Sequence, residues 1–215
     1  VSQSTGTTVK HELDGIGDRL REERLKAGIS QRELARRVGL SASLISQLES
    51  GLSKPSVGTL YAIVTELGVS VERVIRGDHA AGHESVTAPL AEPSPLVHPD
   101  ERAVVDLASG VRWEQLTSET EEGVDFLHVI YDVGGSSTPD SSLMRHNGRE
   151  YGYVISGTLG VQVGFETHIM SPGDSIAFDS TTPHRLYNDG NEPVHSIWFV
   201  VGRDGDNRAR ISGHT

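Results

Sequence analysis

The stretch from Gly28 to Pro55, GISQRELARRVGLSASLISQLESGLSKP, constrains the fold most, because it reads as two short helices joined by a tight turn. Ser30 can cap the first helix, in which Gln31, Leu34, Ala35 and Val38 follow helical spacing, and Gly39 ends it. Ser41 can cap the second, where Leu44, Ile45 and Leu48 form the inward stripe and Ala42, Ser43, Ser46 and Gln47 face outward. That outer face is short, polar and nearly uncharged. It suits an element pressed against base edges in a major groove, where Gln can pair with adenine and small side chains can approach thymine methyls.

A net charge of −11 over 215 residues argues against a polyanionic partner until the charges are divided along the chain. Residues 1–77 hold 11 Lys and Arg against 9 Asp and Glu, whereas residues 78–215 hold 8 against 21. Binding to phosphates depends on the local field of one face, and Arg32, Arg36, Arg37 and Lys54 fall within the motif. The acidic second half is expected to point away from DNA. Cysteine is absent, which removes disulfides and thiolate catalysis and fits a reducing cytoplasm. No apolar run is long enough to span a bilayer and no signal-peptide pattern opens the chain, so a cytoplasmic location without membrane contact is expected.

Around the motif the chain divides readily. Residues 1–12 read as a disordered lead-in, and an amphipathic helix from about Leu13 to Ala27 carries Ile16, Leu20 and Leu25, with Arg24 as a phosphate ligand or a solvated charge. Ser56 can cap a further helix with Leu60, Ile63, Val64 and Leu67 inward and Gly68 at its end, and Val71, Val74 and Ile75 mark a last one. Five helices over residues 13–77 make a small all-α domain. Residues 78–100, rich in Pro and Ala, read as a linker in which His79 and His83 are solvent-exposed.

SQRELA, the turn glycine, LISQLESG, the Ser53-Lys54-Pro55-Ser56 step and TLYAIVTELGVS together resemble the helix-turn-helix family of lambdoid phage repressors and XRE-type regulators, from Ile16 to Gly77. The resemblance implies that Gln31, Ser53 and Lys54 hold phosphates of double-stranded operator DNA and that Ala42, Ser43, Ser46 and Gln47 read bases. Arg32 and Ser41 complete the candidate DNA-binding set.

From Ala103 onward the pattern changes to short apolar runs divided by glycines and charged turns, among them VRWEQL, VDFLHVIYDV, YGYVIS, TLGVQV and HSIWFVV. Several alternate with period two, as in an antiparallel sandwich or barrel over residues 101–205, followed by a tail over 206–215. His146-Asn147-Gly148-Arg149-Glu150 with Gly157, then Pro172-Gly173-Asp174 and Pro183-His184 with Asn188, resemble the two motifs of the cupin family, a double-stranded β-helix or jelly roll. Metal-binding cupins carry a further histidine where this chain has Met144. His146, Glu150 and His184 remain as a two-histidine, one-carboxylate set suited to one divalent ion, Fe, Mn, Ni or Zn. Met144, Tyr153 and Phe178 join these three as candidate effector-pocket residues, and His128 could face the pocket from its strand.

The expected fold class is therefore multidomain, a five-helix lambda-repressor-like domain followed by a cupin. The expected function is a sequence-specific transcriptional regulator, without catalytic residues, that acts as a homodimer and senses a small-molecule effector in the barrel. The alternative is a mononuclear non-haem iron enzyme resembling the hydroxypropylphosphonate epoxidases, which share the order of helical domain then cupin.

Overall fold

The computed structural model describes residues 15–76, 94–119, 123–139 and 142–202. The expected lead-in, His79 and His83 and the tail lie outside the described residues.

The first region holds α1 (Ile16–Lys26), α2 (Gln31–Val38), α3 (Ala42–Glu49), α4 (Val57–Leu67) and α5 (Val71–Arg76). The serines before α2, α3 and α4 do what their positions predict. The hydroxyls of Ser30, Ser41 and Ser56 accept from the amides of Glu33, Leu44 and Thr59 at 3.1, 3.1 and 3.2 Å. Each such cap contributes about 1 kcal/mol by satisfying an otherwise unpaired helix-end donor. Gly39, at φ 70°, reverses the chain in the left-handed conformation that other residues adopt only with strain, and so sets the turn between α2 and α3. Leu20, Leu34, Ile45, Leu48, Leu60 and Ile63 are all buried and form the centre of this helical core.

Among the described residues a 3₁₀ turn, Pro99–Glu101, precedes nine strands. These are β1 (Val104–Leu107), β2 (Val111–Gln115), β3 (Val124–Tyr131), β4 (Arg149–Ser156), β5 (Leu159–Val163), β6 (Glu166–Met170), β7 (Ser175–Asp179), β8 (His184–Tyr187) and β9 (Val194–Val201). They form a six-stranded sheet of order β1-β2-β3-β9-β4-β7 and a three-stranded sheet of order β6-β5-β8. All the pairings are antiparallel. Strand alternation decides what each residue can do. Asp125, Leu127, Val129 and Tyr131 of β3 turn inward and are buried, while Phe126, His128 and Ile130 lie on the outer face.

The two regions are packed together. Near the start of α4 the Gly58 amide donates to the Ser137 carbonyl at 3.1 Å, and the Ala108 amide donates to the Pro55 carbonyl at 2.9 Å. Tyr61 lies against Trp113 of β2, ring centroids 5.5 Å apart. From α5, Arg76 donates to Gln115 Oε1 at 2.7 Å and to the Ser118 carbonyl at 2.6 Å, and the Gln115 amide hydrogen-bonds the buried Glu72. The acidic barrel is thus attached directly to the helical domain through α4 and α5.

Candidate functional site

Strand register assembles the residues inside the barrel. His146 enters just before β4, Glu150 is its second residue, and His184 opens β8 from the opposite sheet. Met144 and His184 pair as an isolated antiparallel bridge, their amides and carbonyls exchanging bonds of 2.9 and 2.8 Å, which draws the 144–146 segment across to β8. His146 Nε2 then lies 2.9 Å and His184 Nε2 3.1 Å from the same oxygen, Glu150 Oε1. All three side chains are buried.

The tautomers follow from the backbone. His146 Nδ1 is 2.9 Å from the Asn147 carbonyl and His184 Nδ1 is 2.9 Å from the Thr182 carbonyl. A carbonyl can only accept, so each Nδ1 carries a proton and each neutral ring presents its Nε2 lone pair to the interior. His146 Nε2, His184 Nε2 and Glu150 Oε1 are buried without a well-directed hydrogen-bond partner. Three acceptors facing one point need a cation, either a proton on one ring or a metal ion. A proton donated from either ring favours the ionised carboxylate. Burial pushes the Glu150 carboxyl up, but the two imidazoles overcome this and hold it at about 2. Burial lowers His184, and the facing carboxylate more than offsets that and raises it. Among the described residues this is the only cluster of three or more His, Asp or Glu side chains placed to share an ion, with all three ligand atoms within 4.8 Å of one another.

Above Glu150 the barrel is nearly full. The cavity there measures about 20 Å³ and is lined by Trp113, Leu127, Tyr131, Met144 and Trp198 of the barrel and by Val57 and Tyr61 of α4. That is room for one water or one ion. Phe178 packs inside, its ring 5.0 Å from that of His184. Tyr153 does not. It stands three residues after Glu150 on β4 and so has the opposite parity, 48 % exposed on the outer face. The expectation of Tyr153 in the pocket is therefore corrected. His128 is also outside, bound to Glu114 Oε2 at 3.0 Å and His195 Nδ1 at 3.2 Å. Tyr61 and Val57 are the lining residues that come from the other domain, and they are absent from the sequence-derived set because no pattern within one domain reports a contact with another.

In the helical domain α3 presents Ser43, Ser46 and Gln47 to solvent along with the cap Ser41, and Arg32 and Lys54 are exposed. Ala42 is only partly exposed and packs on the helical core. Ser53 and Lys54 line a cleft of about 240 Å³ whose other walls are Gly15–Arg19 and Val104–Asp106 of β1. Gln31 is engaged, its Nε2 donating to Glu49 Oε2 at 2.8 Å. Arg24 is neither a phosphate ligand nor a solvated charge. It is buried, and its Nε and Nη2 donate to the two Glu49 oxygens at 2.5 and 2.8 Å. Arg36 and Arg37 hold Glu33 at about 2, and Arg37 also meets Glu66 at 3.0 Å, so these cations are largely compensated within the domain. Arg21, Arg32 and Lys54 are further exposed cations of the domain, and the charge of Arg21 is felt by Glu49 at the end of α3.

Comparison with known proteins gives the same two parts. The helix-turn-helix family model matches residues 20–74 and the cupin domain model residues 127–200. The HTH-type transcriptional regulator PuuR of Escherichia coli K12 is 25% identical over 173 residues, 80% of this chain and 86% of that protein. SutR of the same organism, also an HTH-type transcriptional regulator, is 25% identical over 177 residues, 82% of this chain and 88% of its own. The crystal structure of an HTH_3 family transcriptional regulator from Vibrio cholerae superposes with a TM-score of 0.62 at 21% identity, over 87% of this chain and 94% of that one, a likeness of fold. With both domains matched in order and the relatives aligned across both, the chain belongs to the XRE-type helix-turn-helix transcriptional regulators with a C-terminal cupin domain.

Proposed function

We propose that this chain is a cytoplasmic one-component regulator that binds a palindromic operator as a homodimer and answers to a small molecule in its barrel. Residues 13–77 read DNA, residues 78–100 link, and residues 101–205 sense. The observation that carries the reading is α3, whose solvent face is Ser43, Ser46 and Gln47 with a serine cap and no acidic side chain in its first turn. Gln47 and Ser43 contact base edges, with Ala42 and Ser46 beside them. Lys54, Arg32, Ser53 and Ser41 hold phosphates, and Gln31 positions Glu49 and through it Arg24. The test is a mobility shift on DNA from upstream of the chain's own coding sequence. Gln47→Ala should cost about 1 to 3 kcal/mol and relax preference at one or two positions. Lys54→Ala should weaken binding to every sequence and reduce the salt slope by about one. Unchanged operator affinity and preference in Gln47→Ala would refute the assignment of α3.

In the barrel His146, Glu150 and His184 are the ligands of one divalent ion, a reading supported by their converging lone pairs. Such an ion offers open positions to an oxygen or nitrogen donor of the effector, and it replaces the proton that otherwise satisfies the carboxylate. Titration with Co(II) tests the site: wild type should take up about one ion per chain, and His146→Ala or His184→Ala should abolish uptake. Full occupancy surviving both substitutions would remove the triad from consideration.

A further inference from the structure

The stopper of the barrel comes from the DNA-binding domain. Tyr61 of α4 stacks on His146, ring centroids 4.3 Å apart and planes 26° apart, and leans on Trp113 on its other side. It is 4 % exposed. Val57, one turn earlier, lines the same cavity. Gly58 between them lies so close to the barrel that a Cβ there would meet Thr138 Cγ2 at 2.9 Å and Met144 Cβ at 3.4 Å. Its amide is fastened to the Ser137 carbonyl. One turn of one helix therefore covers the triad and also belongs to the domain that carries α3.

We propose that the effector pocket is shared between the domains, with Tyr61 as both a wall of it and its gate. A ligand larger than one ion reaches the triad by taking the place of the phenol ring between Trp113 and His146, and in doing so lifts α4 from the barrel. This rests on the barrel being the sensor. It adds the ligand class and the route of the signal. The space Tyr61 vacates is bounded by Trp113, Leu127, Tyr131 and Trp198, with Glu150 and the histidines at its floor and the Tyr131 phenol as a further polar group in its wall. It fits a small molecule with a planar or apolar body and a single donor head. The route is short because α4 begins directly after the Ser53–Lys54 loop, whose cleft is walled by Val104–Asp106 of the barrel. Lifting α4 removes that wall from the phosphate-binding loop and frees the angle between the DNA-binding domain and the barrel. Occupancy and docking then exclude each other, which gives the ligand the difference in affinity between two states that regulation requires.

The chain has no cysteine, so Gly58→Cys with Thr138→Cys introduces a single disulfide, at a separation that the bond can span. The probe is diethyl pyrocarbonate on the metal-free full chain, with labelling of His146 and His184 read by peptide mass. The oxidised form should label at least tenfold more slowly than the same chain after reduction, and Tyr61→Ala at least tenfold faster than wild type. Equal rates in the oxidised and reduced forms would overturn the gate, and because each chain is its own control a folding defect cannot imitate that result. Operator affinity measured on the same pair should differ at least tenfold. Equal affinity would overturn the coupling to DNA. Failure of Co(II) to load wild type would defeat the metal reading alone, because the labelling comparison involves no metal.

Discussion

Glu49, 5 % exposed at the end of α3, shows how much a single residue can hold in this domain. Burial pushes its carboxyl up, but hydrogen bonds from Arg24 and Gln31 more than offset this and keep it below the usual carboxylate range. A group whose folded pKa is depressed adds stability that is complete above its unfolded value, about 4.3, and is lost as pH falls through the lower folded value. Glu49→Gln should therefore flatten the loss of stability below about pH 4.3, measured by urea unfolding across that range. Arg24→Ala leaves the carboxylate buried and unpaired and should cost about 3 to 5 kcal/mol by the same measurement. The sequence offered no sign of this pair, since Arg24 sits on a helix among other charges and its partner lies 25 residues away. Met144 is the opposite case, legible from the resemblance to the cupin motif, which carries a histidine at that place. It neighbours His184 through a backbone bridge and lines the cavity. Met144→His should add a fourth ligand, the third nitrogen, and tighten Co(II) binding at least tenfold, followed by the visible absorption of the ion.

At the scale of elements the local signals were strong. Serine caps and the Gly39 turn depend on residues within four positions of each other, so they survive whatever packs around them. The apolar runs after Ala103 became strands for a similar reason, since glycine and charged turns end a strand wherever the sheet lies. Tyr153 is the exception: an aromatic in an alternating strand suits a core or pocket position, yet its odd separation from Glu150 on one strand puts it on the other face. Helix-end chemistry yields a prediction at this scale. Ser41→Ala removes the acceptor for the Leu44 amide and should lower stability by about 1 kcal/mol in thermal or urea unfolding. Operator affinity should fall as well, because the amide left free belongs to the first turn of α3, the helix proposed to read bases. Full affinity with lowered stability would show that the first turn does not carry the contacts.

At the scale of the whole molecule, reading a palindrome requires two copies whose recognition helices lie about one DNA turn apart, roughly 34 Å. The outer face of the six-stranded sheet is the surface suited to hold them. Along β4 and β9 it exposes Tyr151, Tyr153, Ile155 and Phe199 at 43, 48, 49 and 37 %. With side chains of this size, such fractions amount to roughly 400 Å² in one patch, about half of what each partner of a stable dimer buries. Phe126, Ile130 and Ile197 extend it inward on the same face, and charged pairs frame it, Arg112 with Asp106 at 2.6 Å and Arg102 with Glu114 at 3.1 Å. In the homodimer proposed above, a second copy of this chain would cover it, because antiparallel strands offer the same alternation to a copy turned through two-fold symmetry. Tyr153 and Ile155 have their side chains wholly on this face, so Tyr153→Arg with Ile155→Arg leaves the triad and the helical core untouched. In sedimentation equilibrium at micromolar concentration the wild type should be dimeric and this variant monomeric with an unchanged circular dichroism spectrum. On DNA the variant should keep weak binding to a single half-site and lose the gain from the second. A variant that remains dimeric and binds the full operator normally would place the contact between copies elsewhere on the molecule.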